Sequence, residues 1–326
     1  MGDLLLGVDG GNTTTIAVVA RIDGTVAGVG AGGCGDIHNT SPDAGLEEIR
    51  RACTAALAAA GADVEALAAA AFSLAGADWP EDFELLRRGL VERLALAEAP
   101  VVVNDTIGAI RCGTDDGVGV AVACGTHGAA GARNRAGEVF HFGFWPDDTG
   151  ATGLGSEALA AIWRAELGVG PETSLTGRAL DRWQAADPVA LLHAFTRLDG
   201  SRVPATERPL FADAVLDEAE AGDAVARDIV RLAGNRLGGY ARVSAERTGQ
   251  LGSPFPLVLC GGVLRHPSVL LRESILDSVP GAAPAYPSVE PVIGAVLLAA
   301  DAAGARPSLD NLREAALSSP AELPAR

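Results

Sequence analysis

The stretch 4-LLLGVDGGNTTTIAVVARIDGTVAG-28 decides how the rest of the chain is read. An apolar, strand-like run ends at Asp9 and breaks into two glycines and a block of small hydroxyl residues. It resumes at Ile16 and turns again at Asp23-Gly24. That alternation is a β-hairpin signal on both sides. A tight turn needs one or two permissive residues, and this one has more. The excess indicates a loop shaped to hold something.

Working outward, strands are expected at 4–9, 14–22 and 26–31, and Ser41-Pro42 offers an N-cap and a first-turn proline for a helix to about residue 60. A strand at 68–74 follows, then a helix to about 96 that Asp78 would cap and Pro80 open. A short buried strand at 101–103 leads into a helix at 105–112. The order β-β-β-α-β-α-β-α implies an α/β lobe with a mixed sheet. The series then restarts, because 117-GVGVAVACGTHGAAGARNRAGEVFHFG-143 is again strand, Gly/Thr turn, strand, turn and strand. Asp9-Gly10-Gly11 and Cys124-Gly125-Thr126 are one device used twice, an internal repeat.

A helical block at 153–249 precedes a strand at 256–260, a helix at 267–279, a short strand at 283–286 and a helix at 292–303. No long linker separates the halves. The expected division is an N-terminal lobe at 1–114 and a C-terminal lobe at 115–303 that carries the helical insert. The last helix would pack back on the first lobe, and the tail at 304–326, rich in Pro, Ser and Ala, would be loosely attached.

Composition narrows the chemistry. The chain has 326 residues and a net charge of −17, which argues against nucleic acid or an anionic membrane as partner. All 25 basic residues are arginine. The lysine of a Walker A loop, of a protein kinase, or of Schiff-base chemistry is therefore excluded. The five cysteines are scattered without a C-x-x-C, the N-terminus lacks a basic leader, and no apolar run is long enough to span a bilayer. A soluble cytoplasmic protein is the expectation. The five histidines include no pair at metal spacing, so a zinc site is not expected.

Consecutive N–H groups in a glycine-rich turn converge on a concavity that suits phosphate oxygens. Two such turns facing one cleft would clamp a polyphosphate from both sides. Gly10 and Gly11 would allow close backbone approach and Thr13 would offer a hydroxyl. Asp9, at the strand end, is positioned for a hydrated Mg²⁺. Asp105, directly after a buried strand and opening a helix, stands where α/β lobes carry functional carboxylates, although a plain helix N-cap would also explain it. In 145-WPDDTGATGLG-155, Asp147 and Asp148 form an adjacent carboxylate pair of the kind that meets a metal or a hydroxyl-bearing ligand. Gly261-Gly262, ending a strand, would let a flat ligand lie against backbone.

With these residues in hand, the sequence resembles the superfamily of actin, sugar kinases and heat-shock-protein ATPases. More closely it resembles the N-acetylglucosamine kinases and the BadF/BadG/BcrA/BcrD ATPase family that contains them. The match runs from residue 4 to about 304. 7-GVDGGNTTT-15 resembles a D-G-G-x-T-x-T phosphate motif, and 103-VNDT-106 the segment of the catalytic aspartate. 124-CGTHG-128 stands where G-T-G-S is expected, and 147-DDTGATGLG-155 where D-E-G-S-G…G is expected. 259-LCGGV-263 and 290-EPVIGAVLLA-299 resemble the adenosine motif and the C-terminal helix.

The resemblance implies two ribonuclease-H-like lobes in the actin-like ATPase arrangement, with ATP and Mg²⁺ in the cleft. Asp105 would be the base, and the acceptor the hydroxyl of an amino sugar, typically the 6-hydroxyl. Asp9, Gly10, Gly11, Thr13, Gly125, Thr126, Gly261 and Gly262 would hold the nucleotide and its metal. Asp36, His38, Asn39, Gly76, Asn104, Asp105, Asp147 and Asp148 would hold the sugar, with Phe144 or Trp145 covering a ring face. A homodimer follows from the resemblance alone.

Five departures stand out. His127 replaces a glycine, Gly128 a hydroxyl residue, and Thr149-Gly150 a Gly-Ser pair. Thr14 stands where a basic residue is common, and Asp36 where an asparagine often meets the sugar. They keep two other readings open. One is an ATP-binding sensor that has lost turnover, argued from His127. The other is an ATPase activator of a dehydratase or reductase, argued from Cys124 and requiring an iron–sulfur cluster between subunits.

Overall fold

Leu4, Leu6 and Val8 face one side of β1 (Leu4–Gly10) and Leu5 the other, and all four are buried. A strand apolar on both faces belongs at the centre of a covered sheet. In this computed structural model, which describes residues 2–142, 148–200 and 202–312, β1 does lie at the centre. It pairs antiparallel with β2 (Thr15–Arg21), which pairs antiparallel with β3 (Val26–Gly32). On its other edge it pairs parallel with β4 (Leu67–Leu74), which pairs parallel with β5 (Val101–Asn104). The strand order is β3-β2-β1-β4-β5.

The face that carries Leu6 is covered by α1 (Pro42–Ala60) and α2 (Pro80–Leu94), whose Ile49, Leu86 and Leu90 pack against it. Helix α1 begins as its sequence predicts. Ser41 Oγ accepts from the Ala44 N–H at 3.2 Å, Pro42 opens the first turn, and Gly61 ends the helix in the left-handed region at φ 62°. Helix α2 differs. Its N-cap residue is Trp79, and the Asp82 carboxylate reaches back to accept from the Trp79 N–H at 2.9 Å. Asp78, expected to be the cap, is released and turns inward.

The second sheet repeats the first. Strands β6 (Gly119–Cys124), β7 (Gly128–Arg133), β8 (Val139–Phe142), β9 (Phe255–Cys260) and β10 (Ala282–Ala285) lie in the order β10-β9-β6-β7-β8, with the same pattern of parallel and antiparallel pairing. Its apolar face packs on α4 (Ala151–Glu166), α7 (Ala212–Ala221), α8 (Ala224–Arg247) and α9 (Leu270–Asp277). The insert adds α5 (Leu175–Trp183) and α6 (Pro188–Thr196).

The closing helices of the two lobes are exchanged. Helix α3 (Asp105–Gly113) follows the first sheet yet sets Ile107 and Ile110 against Ala121 and Val258 of the second. Helix α10 (Pro291–Ala303) follows the second sheet yet packs Val292 and Val296 against Leu5, Val18 and Ala71 of the first. Each apolar stripe is buried by the other lobe, so the halves form one body around the crossing of α3 and α10.

The segment after α10 is not loose as far as residue 312. The Ser308 N–H and the Asn311 amide both donate to the Asp23 carbonyl at 3.0 Å, and Leu312 is fully buried under the first sheet. One leucine at the right spacing outweighs the Pro/Ser-rich composition that suggested a free tail. Among the described residues no helix is long and apolar enough to cross a membrane.

Candidate active site

The repeated sheets bring their first hairpin turns to opposite walls of one cavity of about 510 Å³ between the lobes. In the first turn the Gly11 N–H donates to the Thr14 carbonyl at 3.0 Å, and Gly11, Asn12, Thr13 and Thr14 all line the cavity. In the second the Gly125 N–H donates to the His127 carbonyl at 3.1 Å, and Gly125, Thr126 and His127 line the facing wall. The turns meet where the Thr13 and Thr126 hydroxyls lie 3.4 Å apart. Asp9, at the end of β1, lines the cavity beside the first turn. Gly262 lines it at the end of β9, where an added Cβ would meet nothing within 4 Å.

Two glycines read as ligand contacts have other uses. Gly10 does not line the cavity, because a Cβ there would sit 2.6 Å from the Leu74 side chain and the residue serves β1–β4 packing. Gly261 adopts φ +100° and lies against the Cys124 backbone, where a Cβ would come within 2.4 Å of a carbonyl oxygen. It positions Gly262 while still bordering the cavity.

The carboxylates gather beside α3. The sequence left capping as an explanation of Asp105, and the structure removes it. Asn104 is the N-cap residue, and its side-chain oxygen accepts from the Thr106 N–H at 3.1 Å and from the Thr106 hydroxyl at 2.6 Å. Asp105 is left half-buried in the cavity wall. Burial pushes its carboxyl up to about 6, the Thr106 N–H works against that rise, and the charge of Asp36 adds to it.

Asp78 enters from the β4–α2 connection and accepts from the Asn104 amide at 3.3 Å. Burial pushes it up to about 7, with the charges of Asp105 and Asp36 adding to the rise. Asp36 is buried, lines the same cavity and accepts the His38 N–H at 2.8 Å. His38 is held through Nε2, 2.9 Å from the Asp82 carboxylate. Asn39 also lines the cavity, and its amide donates to the Asn12 carbonyl of the first turn at 3.4 Å.

The other lobe contributes a residue that the sequence did not single out. His141 on β8 brings Nδ1 to 3.8 Å from an Asp78 oxygen, and this buried nitrogen has no hydrogen-bond partner. Burial lowers its basicity. No local pattern marks His141, because its partner lies in the opposite half of the chain.

Other expectations need correction. Gly76 does not line the cavity. It lies beneath Asp36, whose carboxylate oxygen a Cβ would approach to 2.7 Å, so its smallness lets the Asp36 loop dock. Asp148 also lies off the cavity and pairs with His127, Oδ1 to Nδ1 at 3.4 Å. The cause is close packing at the start of α4, where a Cβ on Gly150 would meet the His127 backbone at 2.4 Å. Asp147, Phe144 and Trp145 lie outside the described residues.

The departures in the second turn interlock. Gly128 leaves the space that the Thr149 side chain fills, since a Cβ at 128 would meet the Thr149 hydroxyl at 2.2 Å. Gly150 leaves the space that the His127 backbone fills. At Gly128 the lost side chain is matched by a gained one, that of Thr149, which is the signature of a repacked contact.

Among the described residues no three potential metal ligands cluster. Mg²⁺ keeps most of its waters and binds through one or two carboxylates plus substrate phosphates, and the single carboxylate of Asp9 beside the first turn fits that habit.

Two ribonuclease-H-like lobes with matching glycine turns across a cleft define the actin-like ATPase fold. The chain belongs to the BadF/BadG/BcrA/BcrD ATPase family, whose sequence signature matches residues 6–299. It is 24% identical over 313 residues to the N-acetyl-D-glucosamine kinase of Dictyostelium discoideum, covering 91% of this chain and 98% of that one. Among solved structures, a Chromobacterium violaceum protein provisionally assigned as an N-acetylglucosamine kinase superposes with a TM-score of 0.69 at 23% identity, covering 91% of this chain and 99% of that one. A ROK family glucokinase from Streptomyces griseus, in complex with glucose and AMPPNP, superposes at 0.54 with 18% identity, covering 91% and 98%. At these identities the structural likenesses speak for the fold.

Proposed function

We propose that the protein transfers the terminal phosphoryl group of ATP to a hydroxyl of an amino sugar of the N-acetylglucosamine type, at the 6-position. The observation that carries this reading is Asp105. It is a carboxylate freed from capping and raised to about 6, set in the wall of a cavity that both glycine turns also line. A carboxyl of that strength is ionised at neutral pH and can accept a hydroxyl proton as the oxygen attacks phosphorus.

Phosphoryl transfer asks the protein mainly for positioning and for compensation of charge. The turn residues Gly11 and Gly125 and the hydroxyl-bearing Thr13 and Thr126 line the walls a polyphosphate would meet. Gly262 offers the open backbone surface a flat base requires. Mg²⁺, held through Asp9, would offset phosphate charge. Asp36, His38, Asn39, Asp78 and Asn104 present the donors and acceptors suited to sugar hydroxyls and an acetamide.

The lysine-free composition fits this scheme, because the phosphates are held by backbone, hydroxyls and metal. Resemblance in sequence to a named N-acetyl-D-glucosamine kinase supports the substrate class. The activator reading is disfavoured by Cys124, which is wholly buried with its thiol directed at the Thr149 carbonyl at 3.7 Å and so cannot reach a cluster between subunits. The interlocked second turn speaks against the sensor reading.

The test is ADP release from ATP and Mg²⁺ against a panel of amino sugars and their N-acetyl forms, with the phosphorylated carbon located by NMR. Release that depends on an acceptor supports the proposal. Nucleotide binding without release from any acceptor would point instead to a sensor.

A further inference from the structure

The cavity is acidic where it must receive a polyanion. Asp9, Asp36, Asp78 and Asp105 line it, and Arg265, the arginine among its described lining residues, is engaged by the Glu290 carboxylate at 2.7 Å. The chain contains no lysine to add. His127 stands in the second glycine turn, one residue from the Thr126 hydroxyl that meets Thr13 across the cleft. Its Nδ1 is turned to Asp148, a residue outside the cavity, which leaves Nε2 as the nitrogen a ligand in the cavity can meet.

We infer that His127 is the phosphate-binding cation of this cleft, its imidazolium oriented by Asp148 so that Nε2–H donates to a phosphate oxygen of the bound nucleoside triphosphate. This rests on the nucleotide reading above. The groups that face the ring, Asp148 through its hydrogen bond and Asp36 through its charge, both favour the protonated form and raise its basicity, against the effect of partial burial. A donor aimed at phosphate from the turn supplies what a lysine supplies elsewhere, and it binds more strongly as the ligand carries more phosphate charge.

The experiment is calorimetric binding of Mg²⁺-ATP and of adenosine to the full chain and to His127→Gln, His127→Gly and Asp148→Asn. Loss of a charge-assisted hydrogen bond corresponds to roughly a tenfold or greater loss of affinity. His127→Gln is expected to weaken Mg²⁺-ATP by about that factor and to leave adenosine within about twofold. Asp148→Asn should weaken Mg²⁺-ATP by a smaller factor. A merely structural role would move both ligands together. Equal binding of Mg²⁺-ATP by His127→Gln and the parent chain overturns the inference, and so does tighter binding by His127→Gly, which would make the imidazole an obstruction. Failure of the parent chain to bind Mg²⁺-ATP at all would bring down the nucleotide reading together with it, whereas the first two outcomes leave that reading intact.

Discussion

Gly294 of α10 lies so close to Gly108 of α3 that a Cβ on Gly294 would stand 2.0 Å from the Gly108 carbonyl oxygen. Both residues are the fourth in their helices, so corresponding positions of the two lobes meet. The exchanged helices touch backbone to backbone there, and Asp105 is one turn away. Gly294→Ala is expected to lower stability by about 1–3 kcal/mol, because the helices must separate to admit a methyl group. Urea unfolding checks the loss. Activity at temperatures where the variant remains folded should fall as well, since α3 carries the site.

Asp105→Asn should reduce turnover by about 10²–10⁴-fold while leaving nucleotide affinity near that of the parent chain. Steady-state kinetics together with direct binding separate the two effects. Wild-type turnover in this variant would remove Asp105 from the role of base.

The pH profile follows from the same carboxyl. A base must be ionised, and the Asp105 carboxyl is raised to about 6. Activity should therefore be steady above that value and fall with decreasing pH, by about tenfold per unit well below it. Because Asp78 faces Asp105, the limb belongs to the pair and its midpoint should shift in Asp78→Asn.

Asp78 also makes a stability prediction of definite sign. Its folded value, about 7, lies above the ordinary carboxyl value of 3.8, so the fold holds its proton to higher pH than the unfolded chain does. Its contribution to stability is full below about pH 4 and is lost as pH rises through about 7. Asp78→Asn keeps an acceptor for the Asn104 amide and removes the charge. The thermal midpoint of this variant should exceed that of the parent chain at pH 8, and the difference should shrink at pH 5.

Asp82 joins fold to site. Its carboxylate accepts from the Trp79 N–H and meets His38 Nε2, each at 2.9 Å. Asp82→Ala is expected to cost about 1–2 kcal/mol through the lost cap and to raise KM for the acceptor more than for ATP, because His38 loses its anchor. Comparing the two KM values measures this directly.

Much of the fold was legible in the chain because it rests on near neighbours. The two glycine turns, the strand and helix order around them, the Ser41-Pro42 helix start and the position of Asp105 at a strand–helix junction all follow from spacing, capping and turn chemistry within a few residues. The errors share a cause. Asp78 and Asp82 compete for one helix start, and only the pull of His38, 44 residues away from Asp82, and of Asn104 shows which carboxylate caps and which turns inward. Gly10 and Gly76 read as ligand contacts until Leu74 and Asp36 are seen to occupy the missing side-chain space.

The amino-acid order alone established a duplicated α/β lobe with a glycine turn in each half, since hairpins and caps are short-range and largely independent of the rest of the chain. Packing across the molecule settled the remainder: the exchange of α3 and α10, the approach of His141 to Asp78, the pairing of His127 with Asp148, and the weakened acidity of Asp78 and Asp105. Those depend on burial and on charges brought together from distant segments, and neither quantity exists until the chain has folded.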